Sequence, residues 1–105
     1  MNVPLPANVE AEAAIIGSLL IDPDAVQRVR SFLKPEHFYI ERNAWVYQAI
    51  VDLAATGKPA DFLTVSDELE TRKQLDELGG PAFVMDLINA VPTAIHAEYY
   101  AEIVV

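Results

Sequence analysis

The chain has 105 residues, 52% of them hydrophobic, which allows a core of its own and excludes a disordered acidic tail. Its formal net charge of −9 would repel a phosphate backbone, so direct DNA binding by this polypeptide is not expected. The absence of cysteine removes disulfides and thiolate metal sites and fits a cytoplasmic protein.

The acids are unevenly placed. Residues 1–51 carry six acids against four bases, and residues 52–105 carry ten against three. The apolar run Ala13–Ile21 has the length of a secretory core. However, no Lys or Arg precedes it, and Glu10 and Glu12 stand where a basic segment belongs. It is also far shorter than the roughly 20 residues that cross a bilayer. No membrane association is expected.

Helical spacing runs almost throughout. Asn8 is placed as an N-cap, with Glu10 and Glu12 in the first turn, where the helix dipole favours acids. Val9, Ala13, Ile16 and Leu20 recur on one face. Gly17 costs such a helix about 1 kcal/mol relative to alanine. Lying beside Ala13 and Ala14, it reads as a packing notch in a central helix buried on most sides.

In "IDPD", Asp22 is the expected cap and Pro23 the first residue of a second helix, with Val26, Val29 and Leu33 inward. "LKPEHFY" predicts a turn with one helical turn from Pro35. A third helix is expected over Glu41–Ala55, stopped by Gly57 and Pro59, with Val46, Tyr47, Ile50, Leu53 and Ala54 inward. Trp45 falls on its other side, either folded over neighbouring elements or serving as an anchor for a partner.

"LTVSDELETRKQL" reads as a short surface helix. Thr64 and Asp67 resemble a capping box, Val65 and Leu69 form a thin apolar stripe, and Glu68 can pair with Arg72. Gly79 and Gly80 end a short turn. Pro81 then opens a helix whose apolar set is Phe83, Val84, Leu87 and Ile88, and Pro92 closes it. Thr93 is expected to cap a last helix, with Ile95, Tyr99 and Ile103 on one side and Tyr100 and Val104 on another. That helix meets no stop signal before "EIVV", which suggests the front piece of a longer protein. No stretch shows a period of two, so the expected fold is all-α, a compact orthogonal bundle of about six short helices forming one domain over residues 1–105.

Chemistry is sparse. The Gly57-Lys58 pair would need glycine at position 52 and a hydroxyl at position 59 to make a phosphate loop; those positions hold Asp52 and Pro59. His37 and His96 are distant in sequence and lack a second ligand at helical spacing, so no metal site is expected. Asp67, Glu68 and Glu70 read as a solvated helix face. Ser66 lies in Val65-Ser66-Asp67 rather than the Asp-Ser-Leu triplet of acyl carrier proteins. No catalytic residue and no cofactor is assigned.

Four blocks, "NVEAEAAIIGSLLIDPDA", "LKPEHFY", "GKPADFLTVSDELE" and "QLDELGGPAFVMDLINAVPTAIHAEYYAEIV", occur in an order and spacing that resemble the N-terminal domain of the bacterial DnaB-type replicative helicase. The resemblance spans Pro6 to Val105. Two departures stand out: members often have glycine or an extra residue where this chain has "TRKQL", and usually a polar or aliphatic residue at the position of Trp45. The resemblance implies a non-catalytic helical head, with hairpin, linker and ATPase domain absent from this chain. It implies a hexamer collar that recruits the primase, DnaG, and a parent that unwinds DNA with ATP and Mg2+.

On residue chemistry, Asp76, Glu77 and Phe83 are the expected partner contacts, with Trp45 as a further candidate: acids for basic primase side chains and rings for apolar pockets. Phe83 reads equally well as core. Two other functions compete, a stand-alone acidic binding protein such as a DNA mimic or adaptor, and a small carboxylate-dependent hydrolase. Without the hairpin, a monomer or weak dimer is expected.

Overall fold

The protein is described from a computed structural model covering residues 6–91 and 96–105. Seven α-helices lie in the described residues: α1 (Pro6–Ile21), α2 (Val26–Val29), α3 (Glu41–Ala55), α4 (Phe62–Thr71), α5 (Leu75–Leu78), α6 (Pro81–Asn89) and α7 (Ala97–Val104). Short 3-10 turns occur at Pro23–Ala25 and Pro35–His37, and no strand occurs among the described residues. The all-helical expectation holds; the helix beyond the expected six arises because short segments count as separate elements.

Helix α1 is the spine, packed chiefly against α7 and α6 and also touching α3. Every residue from Ala14 to Leu20 is buried. Ile15 and Leu19 are as buried as Ile16 and Leu20, so apolar contacts extend beyond the Val9–Leu20 face, as expected of a central helix buried on most sides. Burying each such side chain contributes about 1.5–3 kcal/mol, so one or two outweigh the helix propensity lost at Gly17.

Gly17 is the expected notch. A Cβ there would collide with the Leu87 carbonyl oxygen and a Val91 methyl, because the end of α6 lies directly on the α1 backbone.

The start of α1 differs from expectation. Pro6 is already helical, which leaves Asn8 inside the helix instead of capping it, and Glu10 and Glu12 beyond its first turn. Proline is suited to a first turn, where its missing N–H has no intrahelical partner.

Asp22 precedes the turn at Pro23 as expected but makes no side-chain cap hydrogen bond. Its carboxylate instead lies 3.6 Å from Arg28. Helix α2 is only four residues long, although Val26, Val29 and Leu33 are all buried. Lys34 before Pro35 is extended (φ −111°, ψ 154°), the conformation a following proline favours, and this ends the segment. His37 accepts the Lys34 N–H at Nδ1 (2.9 Å), a local capping role.

Helix α3 has the expected boundaries. Val46, Tyr47 and Ile50 are fully buried, and the Tyr47 hydroxyl donates to the Leu33 carbonyl at 2.7 Å. Burial pushes the Tyr47 phenol above its ordinary range.

The cap of α4 is Asp61 rather than Thr64. The Thr64 N–H donates to the Asp61 carboxylate and the Asp61 N–H to the Thr64 hydroxyl, both at 2.9 Å. Asp61 holds the extended conformation a cap needs, and Thr64 is the third residue of the helix, so the expected Thr64–Asp67 box is displaced by three residues. Val65 and Leu69 form the expected buried stripe.

The inward face of α7 is Ala97, Ala101 and Val104. Tyr99, grouped by spacing with Ile95 and Ile103, is exposed; Tyr100 and Ile103 flank the core. Small residues prevail because α7 lies against α1, where alanines permit close approach. Arg28 fastens its outer side through a 2.7 Å ion pair with Glu98. The expected roles of Pro92, Thr93 and Ile95 lie outside the described residues.

Candidate functional site

Three of the four candidate contact residues lie on the corner formed by α4, α5 and α6. Helix α4 ends with Lys73 in the left-handed region (φ 61°), and the Gln74 N–H donates to the Leu69 carbonyl at 2.9 Å. A side chain in that conformation costs about 1 kcal/mol. Lys73→Gly is therefore expected to stabilise the domain by about 0.5–1 kcal/mol, read as a higher urea midpoint at unchanged slope.

Leu75 and Leu78 anchor α5 in the core, which leaves Asp76 and Glu77 exposed. Gly79 (φ 103°) then turns the chain into α6: the Gly80 N–H returns to the Leu75 carbonyl at 2.9 Å, and Pro81 opens the new helix. Gly80 also has positive φ (82°), so both glycines meet a backbone requirement that side-chain-bearing residues satisfy at a cost. Asp76 lines a recess of about 490 Å³ with Glu70, Lys73, Leu75 and Pro81. Phe83 does not line that recess. It is half-buried in the first turn of α6, packed against the core beside fully buried Val84. Core packing thus accounts for part of Phe83, and the rest of its surface is open.

Trp45 is apart from this trio. It is half-buried, flanks the core, and lines a recess of about 350 Å³ with Pro35, Glu36, Ala44, Gln48, Arg72 and Gln74. Two of these residues, Gln48 and Arg72, belong to a charge network that continues outside the recess to Asp52 and Glu68. Arg72 donates from Nε to Glu68 (2.9 Å) and from a terminal nitrogen to Asp52 (2.7 Å), and the Gln48 amide donates to the other Asp52 oxygen (2.9 Å). Burial alone would lower the Arg72 guanidinium. Its hydrogen bonds to Glu68 and Asp52 outweigh that and hold it above its ordinary value.

The sequence suggested the Glu68–Arg72 pair. It gave no signal for Asp52, twenty residues upstream, or for Pro35 and Glu36 beside Trp45, because those contacts exist only once α3, α4 and the Pro35 turn are packed.

Among the described residues, no three His, Asp or Glu side chains converge as a metal site would require. No helix among them is long and apolar enough to cross a membrane. What the described surface offers is recesses and a charged corner on a helical module.

The chain matches the family model for the DnaB-like helicase N-terminal domain over residues 4–105. It is similar to the replicative DNA helicase DnaB of Geobacillus stearothermophilus, 40% identical over 99 residues that make up 94% of this chain and 22% of that protein. The replicative DNA helicase DnaC of Bacillus subtilis is 39% identical over the same shares. In three dimensions it is similar to the crystal structure of the N-terminal domain of DnaB helicase from Mycobacterium tuberculosis, with a TM-score of 0.87 and 43% identity, covering 90% of this chain and 68% of that one. The chain belongs to the DnaB-like helicase N-terminal domain family. It spans about a fifth of the length of the curated relatives named here.

Proposed function

We propose that this is a non-catalytic scaffold and docking domain of a replicative DNA helicase. In this reading the domain contributes to the collar of a hexamer and recruits the primase DnaG through that primase's C-terminal domain. The parent protein unwinds duplex DNA, and ATP and Mg2+ are held by a motor domain outside this chain. The observation that carries the docking role is the α5 corner. Two buried leucines and the Gly79-Gly80 turn hold Asp76 and Glu77 outward on a short, fixed element, with Phe83 one turn further on. A backbone held this way has little freedom to lose when a basic partner binds, and an adjacent ring supplies apolar contact area.

The stand-alone acidic mimic is less well supported. A mimic needs its carboxylates arrayed toward solvent, whereas Glu12 and Asp61 are committed to backbone N–H groups, and Asp52 and Glu68 to Arg72.

The test is capture of the primase C-terminal domain by this chain. Glu77→Arg is expected to weaken capture about tenfold, because it places like charge against a basic surface, while helical content and melting temperature stay within error. Phe83→Ala should weaken capture similarly, with a modest loss of stability from its buried part. Unchanged capture by both folded variants would remove these residues from the interface.

A further inference from the structure

We propose that the recess beside Trp45 is a docking site for an arginine side chain carried by a partner polypeptide. The site is separate from the Asp76 corner and does not depend on the primase assignment.

The sign of its occupant follows from the charges around it. Arg72, the one cation in the wall, already has Glu68 and Asp52 on its guanidinium at 2.9 and 2.7 Å, so little of its charge remains to attract an anion. Glu36, in the same wall, is exposed and has no ion pair among the described residues. Asp52 and Glu68 lie outside the recess and compensate Arg72, which leaves Glu36 as the charge in its wall unpaired among the described residues, so the recess favours a cation over phosphate or carboxylate.

The shape of that cation follows from the apolar walls. Trp45, Pro35 and Ala44 give flat apolar surface beside the acid. An indole is the strongest aromatic partner for a cation, and a planar guanidinium stacks on it while keeping its edge N–H groups for hydrogen bonds. A lysine ammonium is more strongly hydrated and gains less by leaving water.

Acceptors for those N–H groups are at hand. The Gln48 amide nitrogen is committed to Asp52, which leaves its oxygen to accept. Gln74 Oε1 is buried with no hydrogen-bond partner among the described residues, and rotation of its terminal amide would present it to a donor in the recess. An unpartnered buried oxygen is costly, so a guanidinium that satisfies it gains accordingly. A volume of about 350 Å³ is at the small end of ligand sites, suited to one side chain rather than a large cofactor.

The experiment titrates the isotopically labelled chain with acetyl-Gly-Arg-Gly-amide and with the same peptide carrying citrulline, which keeps the shape and loses the charge. The arginine peptide is expected to give saturable NMR shifts at the indole N–H of Trp45, the only tryptophan in the chain, and at the Gln74 side-chain amide. The citrulline peptide should bind at least about fivefold more weakly, and Glu36→Gln, an exposed substitution that leaves the core untouched, should weaken the arginine peptide by about the same factor. Equal binding of the two peptides would overturn the proposal, as would silence at Trp45. So would shifts of equal size at Asp76, Glu77, Glu98 and Glu102, which would indicate general charge attraction. Shifts at Trp45 on concentrating the chain alone would overturn it in favour of a second copy.

Discussion

Gly17→Ala is expected to lower the melting temperature by about 10–20 °C, the reverse of what helix propensity predicts. In an open helix the substitution would add about 1 kcal/mol of stability. Here the new Cβ would overlap the Leu87 carbonyl oxygen and Val91 Cγ2 and lie 2.9 Å from the Leu87 carbonyl carbon. Two of those atoms are backbone near the end of α6, where no side-chain rotation can clear them. Relief requires α1 and α6 to separate, which loosens the packing of Ile16, Val84 and Leu87. Overpacking of this kind costs about 1–3 kcal/mol and more where backbone must move, so a net loss of about 2–4 kcal/mol is expected from a total of about 5–15. Ala13→Gly, at a half-buried position on the same helix, is the control and should cost only about 1 kcal/mol. Thermal or urea unfolding followed by circular dichroism decides it; a Gly17→Ala protein as stable as the parent would mean that the two helices are not in contact there.

Gly17 also marks how far local pattern reaches. A glycine among alanines inside an apolar run signals close approach, but nothing local says that α6 is the neighbour. The boundaries of α3 were legible because a helical period and the Gly57–Pro59 stop coincide there. The cap of α4 was misplaced by three residues because Asp61 and Thr64 are both good caps, and the choice depends on which holds the extended conformation. In α7, helical spacing put Tyr99 and Tyr100 on different sides without telling which faced inward, while packing chose Ala97 and Ala101, because contact with α1 rewards small volume more than apolar area. Asp76 and Glu77 were readable as exposed acids, since Leu75 and Leu78 bracket them at helical spacing. The Trp45 recess was not, because its walls come from the Pro35 turn, α3 and the α4–α5 turn, which meet only in the folded chain.

Glu12→Ala is expected to cost about 3–5 kcal/mol, the larger of the two losses argued here. The sequence places Glu12 as a first-turn acid of α1; in the fold it works for another helix. Only 2% exposed, its carboxylate accepts the Tyr39 N–H at 2.7 Å, the Ile40 N–H at 3.3 Å and the Asn43 side-chain amide at 3.1 Å. Ile40 is the N-cap position of α3 and has no side chain able to cap; Glu12, 28 residues away, instead ties the Tyr39 and Ile40 N–H groups that lead into the helix, and Asn43 in its first turn, to α1. The positive end of the α3 dipole and three N–H donors offset the desolvation of its charge. Alanine would leave the buried Asn43 amide and the part-buried Tyr39 and Ile40 N–H groups without this acceptor and open a void. Glu12→Gln keeps the volume but turns an NH2 group toward donors, so an intermediate loss of about 1–3 kcal/mol is expected. Glu10→Ala, on an exposed neighbour, should change stability by less than about 0.5 kcal/mol. Because Trp45 lies in the second turn of α3, fraying of the first turn in Glu12→Ala should also shift its fluorescence before global unfolding. If the urea midpoint and the early fluorescence of Glu12→Ala match those of the parent, Glu12 does not hold α3 to α1.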